Sequence, residues 1–286
     1  MATRLAVAAR TDVGRVRQTN EDALLVADLA AGPRMPEQGV ARFEVGERGA
    51  LLAVSDGMGG HKGGEVASAM TLDSVHKELV ERTSLVEAER VKSAVERANR
   101  DVLAAGTSPA YDKMGATLTA VLVQGVQAHI GQIGDSRAYL LRDGNIRQVT
   151  HDQSYVQVLL DAGALDAEEA KSSPMKNILL QALGQTPNIK VALGSLELRN
   201  RDCLLLCSDG LYNKLTLEEL RDTVLGSPSL DVACERLVTM ANERGGEDNI
   251  TALLAGVGGD VPAAPAGERI SDTFHVLTTF DPRAGK

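Results

Sequence analysis

Aromatic residues are scarce in this sequence: they make up only 2% of its 286 residues and include no Trp. Proteins that bind single-stranded nucleic acid stack bases on aromatic side chains, so this class of function is disfavoured. Basic residues are also in the minority, with 30 Lys and Arg against 39 Asp and Glu and a net charge of −9. Such a charge repels the phosphate backbone of DNA and RNA. We therefore expect no nucleic-acid partner and a core built from aliphatic side chains.

Metal-binding and disulfide patterns of Cys and His are also missing. The three cysteines, Cys203, Cys207 and Cys234, are odd in number and form no CxxC pair, so we interpret them as small buried apolar residues. The five histidines show no HxxxH or HxH spacing. A zinc site is therefore disfavoured.

Long apolar runs are absent as well. No stretch approaches the roughly 18 apolar residues that a membrane-spanning helix needs, and the first residues lack the apolar centre of a signal peptide. A monomeric cytoplasmic protein that does not contact a membrane is our expectation.

The apolar pattern predicts hairpins and pairs of helices. Asp143 and Gly144 alone separate two strand-like segments, which is a strong signal of a two-residue hairpin. One helix pair is predicted from about residue 64 and a second over 217–244. Because consecutive strands without intervening helices favour antiparallel pairing, we predict an α+β fold of two antiparallel sheets covered by helix pairs.

We expect one domain over residues 1–258 and a flexible or peripheral tail over 259–286, where Pro, Ala and Gly are frequent. Residues 28–48 resemble a surface loop or hairpin tip. Ser84 and Glu87 have the spacing of a capping box at the start of the second helix.

Five strand-like segments end in a short polar turn that contains an acidic residue. These turns carry Glu21 with Asp22, Asp56, Asp135, Asp209, and Glu247 with Asp248. A single Asp-Gly turn is usually structural, but five acidic turns together suggest that their carboxylates meet at one site. Hard divalent cations require several carboxylate oxygens, whereas adjacent carboxylates without a cation repel each other. The set therefore predicts a Mg²⁺ or Mn²⁺ site.

One basic residue stands near the first acidic turn. Arg17 precedes Glu21 by four residues, and its guanidinium could bind a phosphate through two hydrogen bonds. On its own it would equally fit a solvated surface arginine.

Together these motifs closely resemble those of bacterial metal-dependent Ser/Thr phosphatases of the protein phosphatase 2C (PPM) family. The matching segments, in the family's order, are 14–22, 54–61, 64–68, 115–118, 133–137, 182–184, 206–211 and 247–251. The resemblance covers about residues 4–256. It implies a four-layer α-β-β-α sandwich with metals in a cleft at one edge, and it makes residues 150–188 the family's flap.

The resemblance also implies which residues hold the metals. Asp56 would bridge two ions. Asp209 and Asp248 would complete the first ion's ligands, and Glu21 and the carbonyl of Gly57 would serve the second.

Three further roles follow from the same resemblance. Asp22 would orient metal-bound waters. Arg17 would bind the phosphate, and Asp135 would join Asp209 around a third, weaker ion.

The implied reaction is hydrolysis of phosphoserine and phosphothreonine on proteins by a water that two Mn²⁺ or Mg²⁺ ions activate. The enzyme would oppose a bacterial Ser/Thr kinase. Two alternatives are a phosphatase of the same fold that acts on another phosphoester and a non-catalytic phosphoprotein-binding module. The complete set of acids speaks against the second alternative.

The sequence departs from the family pattern at two places. Met58 stands where many eukaryotic members have a His that has been proposed as a general acid; His61 is a weaker candidate for a minor role. In the flap, Ser173 replaces the His of a frequent His-Pro pair. We expect the flap to select substrates, so this difference affects the substrate and not the chemistry.

Overall fold

The protein is described by a computed structural model that covers residues 2–30, 35, 38–59, 63–111 and 113–282. Successive side chains along its strands point alternately into two apolar layers. Leu5, Val7 and Ala9 contribute to the layer between the sheets, whereas Ala8 belongs to a layer beneath helices. This period of two places one face of each sheet against the other sheet.

The first sheet has six strands: β1 (Thr3–Asp12), β3 (Gly39–Glu44), β8 (Arg137–Arg142), β9 (Asn145–Gln148), β11 (Cys203–Cys207) and β12 (Ile250–Gly259). They follow the order β3-β1-β12-β11-β8-β9. Every pair is antiparallel.

The second sheet contains β2 (Asp22–Asp28), β4 (Ala50–Met58), β6 (Leu118–Gln124), β7 (Gln127–Ile133), β10 (Ala192–Glu197) and β13 (Phe274–Thr278), while the short β5 (Gly115–Ala116) pairs with the end of β4. The order is β13-β10-β7-β6-β4-β2. These pairs are antiparallel too.

Helices cover the outer faces of both sheets. The described helices are α1 (Gly63–Glu81), α2 (Glu87–Ala105), α3 (Tyr155–Asp161), α4 (Ala167–Ser172), α5 (Asp209–Tyr212), α6 (Leu217–Leu225), α7 (Leu230–Glu243) and α8 (Ile270–Thr273). The pair α1 and α2 packs on the second sheet, and α6 with α7 packs on the first. The predicted α-β-β-α sandwich is confirmed. No helix in the described part of the chain is long and apolar enough to span a membrane.

Local signals in the sequence were of unequal value. The hairpin at Asp143 is confirmed, since Arg142 pairs with Asn145. The prediction of a capping box at Ser84 is wrong, because α2 begins at Glu87, after Val86, and has no side-chain cap. Glutamates in the first turn of α2 favour this start, because the positive end of the helix dipole attracts them.

The expectation of a loop over 28–48 is also wrong in part. Within it, β3 pairs antiparallel with β1 as an edge strand. The strand alternates between half-buried and exposed residues, and Phe43 alone among its large side chains packs against the inter-sheet core. So weak an apolar signal explains why the sequence pattern missed it.

The C-terminal segment contradicts the expectation of a flexible or peripheral tail. Val261 and Ile270 are buried in the core between the sheets, and β13 pairs with β10. Pro, Ala and Gly dominate only the first part of this segment, so composition hid the few apolar residues that anchor it.

A buried ion network fastens the same segment. Arg142, whose side chain is 2% exposed, donates to both carboxylate oxygens of Asp202 at 2.8 and 2.7 Å. It also contacts Glu268 at 3.0 Å and the Thr273 hydroxyl at 2.7 Å. Arg199 holds Glu268 from the other side at 2.8 Å. Because each buried charge has a partner, the segment is held by polar contacts as well as apolar ones.

We predict that Ile270→Ala lowers the free energy of unfolding by about 2–4 kcal/mol, since it removes a buried aliphatic side chain from a packed core. Urea unfolding followed by circular dichroism measures this change. Leu277→Ala is the matched control in the same segment, because Leu277 is 49% exposed; its effect should stay within about 0.5 kcal/mol. Equal effects of the two substitutions would show that the segment is peripheral.

Candidate metal centre

The predicted acidic residues converge at one edge of the sandwich. Asp22 opens β2 and Asp56 lies near the end of β4, directly opposite in the antiparallel register. Asp209 begins α5 just after β11, and Asp248 immediately precedes Asn249 and β12. The sequence placed Asp56 in a turn, whereas the structure places it on a strand. Four chain segments thus bring carboxylates together on rigid backbone.

These residues line one cleft of about 880 Å³. Its lining includes the expected Arg17, Glu21, Asp56, Gly57, Asp135, Asp209 and Asp248, and also Met58. Asp22 is buried and lies behind this lining, opposite Asp56 in the register of β2 and β4. His61 lies outside the described residues. Among the described residues, the lining of the cleft therefore includes every predicted site residue except Asp22.

Asp22 is fixed by two hydroxyl groups. Its Oδ2 accepts hydrogen bonds from Ser208 Oγ and Thr251 Oγ1, both at 2.6 Å. Its Oδ1 is buried without a hydrogen-bond partner. A buried carboxylate oxygen without a partner is costly unless a proton or cation satisfies it.

Asn249 pins the loop that carries Arg17 and Glu21. Its Oδ1 accepts from the Glu21 amide at 2.8 Å, and its Nδ2 donates to the carbonyls of Val13 and Thr19 at 3.0 and 2.9 Å. The loop between β1 and β2 is thereby tied to the turn that holds Asp248.

Two glycines permit close packing around Glu21. A Cβ on Gly57 would lie 2.0 Å from the Gly64 carbonyl oxygen, and one on Gly64 would lie 2.6 Å from Glu21 Cδ. The Glu21 carbonyl accepts from the Gly57 amide at 3.0 Å and from Ser68 Oγ at 2.6 Å. Glu21 is therefore held against the first turn of α1.

Asp56 is positioned through its backbone. Its amide donates to Thr117 Oγ1 at 2.9 Å, and its carbonyl accepts from the Thr117 amide at 2.8 Å. The Asp56 carboxylate makes none of these bonds, so it is available to a ligand in the cleft.

Asp135 occupies a second corner of the cleft, in the turn after β7. Tyr212 donates its hydroxyl to Asp135 Oδ2 at 3.2 Å. Arg137 stacks 3.6 Å from the centre of the Tyr212 ring and pairs with Asp152 at 2.7 Å. This stack orients Tyr212, and Tyr212 in turn orients the carboxylate.

Arg17 stands at the rim of the cleft with half of its side chain exposed, and its Nη2 contacts Asp248 Oδ2 at 2.8 Å. A half-exposed ion pair of this kind contributes little stability. Its guanidinium can therefore turn toward an anion in the cleft at small cost.

Burial and mutual repulsion raise the pKa values of the clustered carboxyls. Burial raises the pKa of Asp22 to about 7, against the hydrogen bonds from Ser208 and Thr251, and raises that of Asp135 to about 7. Burial, with repulsion from the other aspartates, raises the pKa of Asp56 well above its ordinary range. The pKa of Asp209 rises to about 6 for the same reasons. The cluster therefore binds protons or cations.

A divalent cation fits this donor set. Asp22 Oδ1 and Asp209 Oδ1 are buried without hydrogen-bond partners, and the donors are carboxylates, as Mg²⁺ and Mn²⁺ prefer. Within the described ranges, however, no three Asp, Glu, His or Cys side chains are already arranged to hold an ion. Mg²⁺ keeps several waters and is usually held by only one or two carboxylates.

Sequence reasoning missed the hydroxyl and amide groups that hold the acids. Thr117, Thr251 and Asn249 lie within the motifs on which the family resemblance rests, and Ser208 directly precedes Asp209. Their positions in these motifs were the available signal. Tyr212 is three residues beyond Asp209, and nothing in the local pattern connects it to Asp135.

Comparisons with known proteins establish the family. The family model for protein phosphatase 2C matches residues 34–255. The chain therefore belongs to the protein phosphatase 2C family.

Named relatives and solved structures agree. The serine/threonine phosphatase stp of Listeria welshimeri is 38% identical over 250 residues, which cover 86% of this chain and 93% of that protein. The crystal structure of the Mycobacterium tuberculosis serine/threonine phosphatase PstP/Ppp matches with a TM-score of 0.76 at 33% identity, over 91% of this chain and 100% of that one. A structure of the PstP catalytic domain in complex with two manganese ions matches with a TM-score of 0.75 at 33% identity, over 90% and 100% of the two chains.

The raised carboxyl pKa values predict how the stability of the metal-free protein depends on pH. Between the ordinary carboxyl pKa near 4 and the folded values of about 6 to 7, the folded state binds more protons than the unfolded state. By linkage, the free energy of unfolding then falls as pH rises through this window. We expect a loss on the order of a few kcal/mol between pH 5.5 and 8 in chelator, measured by urea unfolding.

Asp22→Asn should flatten part of this slope, because the amide cannot ionise. Asp260→Asn, which changes an exposed carboxylate, should leave it as it is. A metal-free protein whose stability is constant or rises between pH 5.5 and 8 would show that these carboxyl pKa values are not raised in the folded state.

Proposed function

We propose that this chain is a metal-dependent protein serine/threonine phosphatase that hydrolyses phosphoserine and phosphothreonine on proteins. The observation that carries the proposal is the convergence of acids from five chain segments, with Arg17 beside them, in one open cleft. Its relatives named serine/threonine phosphatases support the same activity.

The metal-holding residues are proposed as follows. Asp56, Asp209, Asp248, Glu21 and the Gly57 carbonyl would hold a pair of ions, with Asp56 serving both. The related PstP domain with two manganese ions supports this number. When bound, the Mn²⁺ or Mg²⁺ ions would supply a nucleophilic water at neutral pH and neutralise charge on the phosphoryl oxygens. A third ion at Asp135 and Asp209 is part of the proposal.

Arg17 binds the phosphoryl group in this proposal. It leaves its contact with Asp248 and donates two hydrogen bonds to phosphoryl oxygens, a geometry for which the guanidinium is suited. Charge that develops on those oxygens in the transition state strengthens the same bonds.

Asp22 acts from behind the cleft. Ser208 and Thr251 fix one of its oxygens, so its other oxygen has a defined direction for orienting water. Asn249 keeps the backbone of Glu21 in register with Asp248. Precise placement of this kind lowers the entropy cost of bringing water and phosphorus together.

A proton must reach the leaving hydroxyl, and Met58 cannot supply it. Met58 lines the cleft, at the position where many eukaryotic family members carry a His. We propose that water in the cleft donates this proton; His61 is retained as a candidate for a minor role only.

The flap helps to form the substrate side of the cleft. Residues of segment 150–188 that line it are Asn177, Leu179, Leu180, Gln181, Ala182, Gln185, Thr186 and Asn188. We propose that these flap residues contact the substrate protein around its phosphorylated residue.

Two further proposals concern the enzyme's setting in the cell. A Ser/Thr kinase adds the phosphate that this enzyme removes, and the enzyme is a cytoplasmic monomer.

Purified protein should hydrolyse p-nitrophenyl phosphate and a phosphothreonine peptide in Mn²⁺ and lose both activities in chelator. Asp56→Asn and Asp209→Asn should each lower kcat/KM by at least about 100-fold, because loss even of groups that only orient metal ligands typically costs 10–100-fold. Asp260→Asn serves as the matched control outside the cleft.

The same assay separates the alternatives. A non-catalytic binding module would bind the phosphopeptide without turnover at any metal concentration. A phosphatase for another phosphoester would hydrolyse p-nitrophenyl phosphate but not the phosphothreonine peptide. Full activity of Asp56→Asn in Mn²⁺ would overturn the proposed metal centre.

A further inference from the structure

The C-terminal segment forms part of the wall of the catalytic cleft. Phe280, Asp281 and Pro282 line the same cavity as the acidic cluster. The match to the family model ends at residue 255, so this part of the wall lies beyond the family's shared domain. It is also the part of the chain in which the sequence pattern predicted no contribution to the core.

The path of the segment explains how it reaches the cleft. Ile270 is buried in the inter-sheet core, and Glu268 is held between Arg142 and Arg199. The following strand β13 is then in a fixed position. The residues that line the cleft, 280–282, follow this anchored strand directly after Thr279.

The register of β13 sets the direction of these last residues. Phe274 pairs with Leu196 and Thr278 pairs with Leu193, so the chain runs antiparallel to β10 toward the start of that strand. Lys190, which precedes β10, also lines the cleft. Continuing in this direction carries Phe280 into the cleft wall.

The side chain of Phe280 adds an apolar surface to a cleft whose catalytic part is acidic. The ring is half-buried, and it also lines an adjoining cavity of about 430 Å³ under β13. Leu179 and Leu180 of the flap are half-buried and line the same cleft. The cleft thus combines carboxylates for metal and phosphate with apolar groups contributed by the flap and the C-terminal segment.

The wall leaves the catalytic residues accessible. Arg17 remains half-exposed, and the carboxylates of Glu21, Asp56 and Asp248 remain partly exposed. A segment that blocked the site would bury these groups. This geometry favours contact with a bound substrate over obstruction of the site.

We propose that Phe280 is a specificity-determining residue that contacts apolar side chains next to the phosphorylated residue of the substrate. This inference rests on the proposed phosphatase function and names the substrate class more narrowly. An apolar contact in a partly closed cleft stabilises the complex when it removes both surfaces from water.

The test compares two phosphothreonine peptides that differ only in flanking residues, Leu in one and Ser in the other. The wild-type protein in Mn²⁺ should prefer the Leu-flanked peptide by roughly tenfold in kcat/KM, the size expected for one apolar contact. The difference should lie mainly in KM. Phe280→Ala should reduce this preference to about twofold or less, whereas Phe280→Leu, which keeps an apolar side chain, should retain most of it.

Leu277→Ala is the control, because Leu277 is an exposed apolar residue of β13, three residues before Phe280, and lines neither cavity. It should retain the full preference. A preference that Phe280→Ala leaves unchanged, or no preference in the wild-type protein, would overturn the inference while the phosphatase function stands. A larger preference or lower KM in Phe280→Ala would show that the wall obstructs substrate and would overturn it as well. Absence of metal-dependent hydrolysis of both peptides would overturn the proposed function and this inference together.

Discussion

Repulsion between carboxylates fixed on rigid backbone is the constraint on which this site depends. Asp22 and Asp56 face each other across neighbouring strands, and Asp209 begins a helix at the same edge. The hydrogen-bonded backbone keeps these residues close, so they cannot separate far enough to relieve their repulsion. Burial raises their pKa values most, and this repulsion raises them further. A cation turns the same arrangement from a destabilising cluster into a binding site.

The surrounding structure serves to maintain that arrangement. Hydroxyl groups of Ser208 and Thr251 bind one oxygen of Asp22 and leave the other buried without a hydrogen-bond partner. Asn249 joins the loop of Glu21 to the turn of Asp248. The two sheets bring distant parts of the sequence together, and their buried aliphatic layers supply the stability that offsets the repulsion.

The sequence predicted the layered fold and the acidic residues because both leave regular local signals. Alternating apolar residues reveal strands, and acids at strand ends reveal a recurring turn. The supporting contacts are long-range: Tyr212 meets Asp135 and Asn249 meets Val13 only after the sheets assemble. The C-terminal segment was misjudged for a related reason. Its anchors, Ile270 and Glu268, depend on partners far away in the chain, and local composition carries no information about them.

In our proposal, the C-terminal segment affects substrate selection and leaves the chemistry unchanged. The acids lie on or beside β2, β4, β7, β11 and β12, whereas Phe280 follows β13, which forms the opposite edge of the second sheet from β2. An edge strand can be added without disturbing the register of the strands that hold the site.

The most direct test of the central claim is anomalous diffraction from crystals grown with Mn²⁺. We predict two manganese peaks that share the Asp56 carboxylate, one reached by Asp209 and Asp248 and the other by Glu21 and the Gly57 carbonyl. Manganese bound away from Asp56, or a cleft without manganese at saturating concentration, would contradict the account.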